Sequence, residues 1–342
     1  MKGSLIYSAK NKNRIRALYL TGSLLFAVSV ILALCFGSTR ISISGLLGAL
    51  AKGVDSPICR ILIYVRLPRL VSALACGMAL SVSGAVIQGV LANKLASPSI
   101  IGVNSGAGLA ITICTALGLY GGWQLSLFSF LGAFATVIIV STCASRLRAS
   151  KGTVILLGVA VNSILSAITE ALITFMPGVG IMTADFRVGE ISSVAYSRLL
   201  PSGLLIALGF ALLLSLTNEL DILTLGQDDA RALGMNVNLM RTLLLLLAAL
   251  LAGCAVSLSG LLSFVGLIIP HALRRIGVNN HADLLKLCAL YGSAFLCLCD
   301  TAARTLFSPY EIPVGIIMSF IGAPFFIFIL IKGKGGHARD NT

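Results

Sequence analysis

Apolar runs fill the chain at 17–36, 70–91, 103–120, 124–145, 153–175, 201–217, 242–260, 262–275, 284–304 and 313–331, separated by charged or Gly/Pro-containing breaks. A helix rising about 1.5 Å per residue needs roughly 20 apolar residues to cross a hydrocarbon core of about 30 Å. Most of the runs reach about that length, and 262–275 is short for a full crossing. The pattern predicts an all-α integral membrane protein, a single polytopic membrane domain over 1–342 with about ten transmembrane helices. The first run follows Lys10, Lys12, Arg14 and Arg16. It is long for the apolar core of a leader and has no A-x-A-like exit, so it reads as an uncleaved span. Leu34 is too large for lipoprotein cleavage before Cys35.

The run starting at Leu70 is not a plain anchor. Gly77, Ser81, Ser83, Gly84 and Ala85 keep its surface small where Leu would serve against lipid. Small residues let helices approach closely, so this helix belongs inside a bundle, and Gln88 needs a polar neighbour or a cavity there. The pattern G-x-A-x-S-x-S-G occurs at 77–84 and again at 253–260. Five spans separate the copies, so they run in opposite directions. That is an inverted internal repeat, an architecture of transporters with a pathway between the halves.

Composition supports the membrane reading, at 57% hydrophobic and 11% charged against a usual charged share of about 25%. The net charge of +13 is spread between the spans and indicates topology rather than nucleic acid. With the N-terminus in the cytoplasm, most of the 25 Lys and Arg residues fall on the cytoplasmic side, which puts both termini inside. Arg40, Lys52, Arg60, Arg66 and Arg69 crowd the first outer segment instead, and Arg304 stands at another outer helix end. Snorkelling to headgroups is one account of them, and a basic outer surface for an acidic partner is the other.

Two polar interruptions stand out. The outer segment 176–200 holds Pro177, Gly178 and Gly180 among Asp185, Arg187, Glu190 and Arg198, and reads as a loop with a short interfacial helix. The cytoplasmic segment 218–241 carries Asp228 and Asp229 near the start of about two helical turns, with Gly226 and Gly234 as brackets. It either packs on the bundle or offers its apolar residues to a partner.

Chemistry of other kinds is thin. GVNSGAG at 102–108 has no preceding strand, and no GxxxxGK[ST] occurs, so helix packing through Gly102, Gly106 and Ala110 explains it. Any ATP hydrolysis belongs to a separate subunit. The nine cysteines show no metal-type pair, and the three histidines are scattered at 271, 281 and 337, so no metal or cofactor site and no catalytic residue is expected in this chain. Within the spans, Asn162, Glu170, His271 and Asp300 are functional candidates by default. Asp300 precedes Arg304 by one helical turn and suits an intrahelical pair. Glu170 lies near the outer end, solvated or lining a vestibule, and His271 after Pro270 reads as structural.

Taken together, RLPRL, SGAVIQGVLANKLASPSIIGVNSGAG, LGQDDARALGMNV, SGLLSFVGLIIPHALR, DTAART and EIPVGIIMSFIGAPFFIFIL resemble the FecCD-type permeases. These are the membrane subunits of binding-protein-dependent ABC importers for iron–siderophore, haem and cobalamin. The resemblance covers nearly the whole chain and implies the ABC type II importer permease fold in the cytoplasmic membrane of a prokaryote. It implies a homodimer, or a heterodimer with a sister permease, with the path at the interface. Two ATPase subunits carrying ATP and Mg would sit beneath, and an extracytoplasmic substrate-binding protein would dock outside. Residue by residue, it makes Gly226, Ala230, Arg231, Leu233 and Gly234 the ATPase-coupling positions. Arg66, Arg69 and Arg304 become the binding-protein docking arginines. Gly77, Gly84, Gln88, Asn93, Pro98, Pro270 and His271 take packing or gating roles. The loop RLRASKG at 146–152 lacks the Thr-Ser pair of cobalamin relatives, which speaks against cobalamin. Iron–siderophore is the expected cargo. The rival readings are an ion-coupled secondary transporter and a membrane-embedded enzyme.

Overall fold

The computed structural model describes residues 2–37, 41–42, 56–146, 151–191 and 194–337. Arg40, Lys52, Arg148 and Arg339, counted above in the charge pattern, lie outside them. The described residues form helices and connecting turns. The helices that follow the apolar runs are α1 (Lys2–Cys35), α2 (Pro57–Val90), α3 (Val103–Ala116), α4 (Gly122–Arg146) and α5 (Lys151–Phe175). Two short helices follow, α6 (Pro177–Met182) and α7 (Ala184–Val188), then α8 (Tyr196–Ser215). The cytoplasmic interruption folds as α9 (Thr217–Leu225) and α10 (Gln227–Ala232). The chain ends with α11 (Val237–Ser259), α12 (Val265–Arg275), α13 (His281–Thr305) and α14 (Val314–His337).

Each of the ten apolar runs carries a helix, and among the described residues 7 of these helices are long and apolar enough to cross a membrane. The apolar helical stretches Val103–Ala116 and Val314–Phe328 are shorter. α12, with 11 residues, covers about 16 Å, half of a hydrocarbon core. It is entered through non-helical backbone at 260–264, with Phe264 in the left-handed region. Such backbone is tolerated at membrane depth where protein satisfies it. Leu261 N–H donates to Phe186 O at 2.9 Å, joining this stretch to α7.

α2 begins well before Leu70, because the helix does not stop at Pro68. A π-helical turn at Leu62–Arg66 precedes the proline, and Leu67 N–H reaches back to Leu62 O. The wider turn relieves the clash that a proline ring makes with the preceding carbonyls.

α2 is the centre of the bundle. Of the apolar stretch of α2, 78% is buried, against 17% for α5, so α2 is ringed by protein and α5 lies at the edge. Its neighbours are α11, α12 and α13. A Cβ on Gly84 would overlap the Gly266 carbonyl of α12, and one on Gly77 would overlap the Gly292 carbonyl of α13. Glycine is required there because backbones touch. Between these crossings Ser81 Oγ donates to Cys288 O at 2.7 Å and Ser83 Oγ to Ala248 O at 2.7 Å.

The repeat is inverted in space. Cys76 Sγ meets Ala255 O at 3.4 Å while Ser83 meets Ala248, so contacts that ascend along α2 descend along α11. Gly106 of α3 and Gly132 of α4 make a further backbone crossing, with Ala110 beside it, as the packing reading of GVNSGAG requires. The nine cysteines are free, all buried except the half-buried Cys143.

Candidate functional site: two polar ends of the bundle

One end carries α9 and α10. α10 is held between Gly226 (φ +141) and Gly234 (φ +81). At its close, Gly234 N–H donates to Arg231 O at 2.9 Å and Met235 N–H to Ala230 O at 3.1 Å, a Schellman stop with Gly234 as its left-handed residue. Asp228 and Asp229 occupy the first turn, where the helix dipole favours acids. Ala230 is fully buried against the bundle, while Leu225 and Leu233 are 64% and 65% exposed. Arg231 also stands outward, its guanidinium 3.7 Å from Asp228 Oδ1. The segment packs one small side on the bundle and leaves an apolar and basic side exposed.

Directly behind α9 lies a polar cluster that sequence patterning did not assemble. Asp221 of α9 accepts from the backbone N–H of His281 at 3.2 Å and also pairs with its imidazole Nδ1. On the far side of that ring, His281 Nε2 is 3.5 Å from Arg274 Nη2. Arg274, at the end of α12, donates to Ala85 O at 3.1 Å and to Gln88 Oε1 at 3.3 Å. Gln88 in turn donates to Gly266 O at 3.2 Å. Gln88 thus has the polar neighbours its burial demands, and α2, α9, α12 and α13 meet in one network. Four separate helices contribute, at sequence separations that no local period reveals.

The remaining packing positions follow. Asn93 caps the turn after α2 by accepting from Leu95 N–H at 2.9 Å. Pro98 packs close to Gly266, and Pro270 is buried within α12. His271 stands edge-on to Phe325, ring centroids 6.5 Å apart, in keeping with a structural role. Asn162 bonds Ser105 and donates to Ser99 O at 2.8 Å, fixing α5 to the entry of α3.

At the opposite end the outer arginines are buried. Arg66, Arg69 and Arg304 are only 5%, 7% and 5% exposed. Arg69 donates to Asp300 Oδ1 at 3.0 Å and to Glu311 Oε2 at 2.7 Å. Arg304 Nε lies 3.2 Å from Asp300 Oδ2, the intrahelical pair expected from the spacing. Arg66 donates to Leu34 O at the end of α1. Arg69 and Arg304 gather on Asp300, a carboxylate 2% exposed that needs cations around it. The arginines tie α1, α2, α13 and the 306–313 turn together. Glu170 sits exposed near this end, paired with Arg187 of α7.

Between α14 and the 261–263 stretch lies a groove of about 610 Å³, lined by Arg187, Leu261, Ser263, Ser319, Phe320 and Pro324 among others. Among the described residues, no cluster of three or more His, Cys, Asp or Glu side chains could hold a metal ion.

Comparison with known proteins agrees with this architecture. A family model described as the FecCD transport family matches residues 25–332. An uncharacterised ABC transporter permease protein, YvrB, of Bacillus subtilis is 37% identical over 339 residues, covering 95% of this chain and 96% of the relative. The hemin transport system permease protein HmuU of Yersinia pestis is 34% identical over 277 residues, 79% of this chain and 83% of the relative. A Yersinia pestis vitamin B12 import system permease protein, BtuC, is 36% identical over 275 residues, 79% of this chain and 82% of the relative. Among solved structures, a metal-chelate type ABC transporter in an inward-facing conformation superposes with a TM-score of 0.82 at 30% identity, covering 93% of this chain and 99% of that one.

Proposed function

The chain belongs to the FecCD transport family, and from that premise we propose that it moves an iron–siderophore, or a related metal chelate, across the cytoplasmic membrane as the permease subunit of an ATP-driven importer. Hydrolysis takes place on two partner ATPase subunits, which supply the ATP and Mg sites that this chain lacks in its sequence. The observation that carries the reading is α10. An exposed Leu233 and Arg231 on a helix stapled at both ends by glycine form a rigid knob, suited to a cleft in an ATPase. Gly226, Ala230 and Gly234 set its position and angle. The α10 end is then cytoplasmic, with both chain termini on that side.

The groove along α14 supports a path at an interface between two copies of the chain, or between it and a sister permease. Arg187, Ser263 and Ser319 are polar groups on a face flanked by membrane-crossing helices, and such groups are costly against lipid. A second subunit over this face would convert the groove into a wet passage. The opposite end receives the substrate-binding protein. Arg66, Arg69 and Arg304 take part by fixing the shape of that rim, and a docking carboxylate reaches Arg69 or Arg304 only if Asp300 or Glu311 yields. Haem and cobalamin are the alternative cargoes, since relatives named for hemin and vitamin B12 match over most of the chain.

The test is purification of the chain with its partners from native membranes, followed by ATP hydrolysis and uptake in vesicles. Hydrolysis that rises with a loaded binding protein, together with uptake of a ferric siderophore in preference to haem or cobalamin, is the expected result. A chain without an ATPase that moves solute on an ion gradient would overturn the reading.

A further inference from the structure

At the end of the bundle opposite α10, a second cleft of about 200 Å³ opens between α4, α8 and α11. Its walls are Leu127 and Phe130 of α4 and Leu205 of α8, with Cys254 of α11 among its lining. From Trp123 to Phe130 it runs about 10 Å along the helix axis, from the helix ends towards the middle of the bundle. At its upper end stands Arg198, donating through Nε to Ser126 Oγ at 2.7 Å and through Nη2 to Ser257 O at 3.0 Å. These bonds hold the guanidinium in place. The carbonyl end of α11 answers part of its charge, but among the described residues no carboxylate forms an ion pair with it. Arg198 also lines a neighbouring cavity of about 210 Å³ on the side of α7, together with Asp185 and Glu190, and among the described residues neither carboxylate forms an ion pair with it.

Trp123, 61% exposed, marks the mouth of the cleft, and Tyr196, two residues before Arg198, donates to Ile63 O at 2.7 Å. Trp and Tyr at helix ends are the mark of the membrane–water boundary. The site thus combines a fixed cation at headgroup depth, hydroxyls beside it, and an apolar slot leading down into the hydrocarbon.

We propose that this cleft binds one anionic phospholipid, with the phosphate on Arg198 and an acyl chain between α4 and α8. The charge complementarity selects an anionic headgroup, and the slot requires a chain. A free phosphate fills only half of the site. The cleft shares no lining residue with the α14 groove.

Native mass spectrometry of the full chain in detergent, titrated with phosphatidylglycerol or phosphatidylcholine, tests this. One phosphatidylglycerol should be retained per chain, in preference to phosphatidylcholine. Arg198→Gln should lose that retention about tenfold, the scale of one charge-assisted hydrogen bond. If R198Q does not fold, Leu127→Trp decides the matter, because it fills the mouth and leaves Arg198 intact. It should lower retention to a similar degree. Equal retention of both lipids by the wild type, or wild-type retention by the folded variant, would overturn the proposal. Thermal stabilisation by inorganic phosphate alone, equal to that by the lipid, would overturn it as well.

Discussion

Asp221 and His281, sixty positions apart, are joined twice, once through the His281 backbone N–H and once through its imidazole. Asp221 lies on the helix that leads into α10, and His281 begins α13, which packs along α2. If α10 is the ATPase knob, this joint carries its displacement into the bundle centre. Asp221→Ala should leave the chain folded but reduce binding-protein-stimulated ATP hydrolysis and uptake at least severalfold, with basal hydrolysis kept. The comparison of stimulated with basal turnover in vesicles checks it; unchanged stimulation removes Asp221 from the coupling route.

Leu233 is largely exposed, so its loss should cost the isolated chain no more than about 0.5 kcal/mol. Leu233→Asp, alone or with Arg231→Glu, should nevertheless abolish recovery of the ATPase on affinity purification. Normal recovery with normal uptake would show that α10 is not the knob.

Asp300 is shared by Arg69 and Arg304 in a nearly dry setting. Removing one member of such a group strands the others, at a typical cost of about 3–5 kcal/mol. Asp300→Asn should therefore lower the unfolding midpoint in detergent markedly, and the drop should be nearly independent of salt. The double change Asp300→Asn with Arg304→Met should recover part of it. A salt-sensitive effect on docking, without loss of stability, would instead indicate arginines that reach a partner directly.

Gly84→Ala places a methyl group against the Gly266 carbonyl. Overpacking of this kind costs about 1–3 kcal/mol. The midpoint should fall accordingly, while Gly178→Ala, where a Cβ meets nothing, serves as the control.

Much of this fold can be read from local pattern. The apolar runs located the helices, and the small residues of G-x-A-x-S-x-S-G identified the crossing surfaces, because close approach needs the same residue types wherever it occurs. Gly226 and Gly234 bracketed α10 correctly, since positive φ is expensive for other residues. The start of α2 was misplaced because the π turn that admits Pro68 depends on tertiary packing, and no residue type announces it. Charge alone leaves the outer arginines either to lipid headgroups or to a partner and gives no sign that they are buried. Their burial depends on long-range contacts, Asp300 with Arg69 across 231 positions, Glu311 with Arg69 across 242 and Leu34 O with Arg66 across 32. The Asp221–His281–Arg274–Gln88 network escaped for the same reason.

The glycine crossings at the centre also limit how the molecule moves. With the Gly84 and Gly266 backbones in contact, and Gly77 against Gly292, α2, α12 and α13 have no room to slide without breaking close packing. They are locked as one block. If the chain works as a permease, a push arriving at the Asp221–His281 joint would therefore tilt these three helices together and not draw one past another.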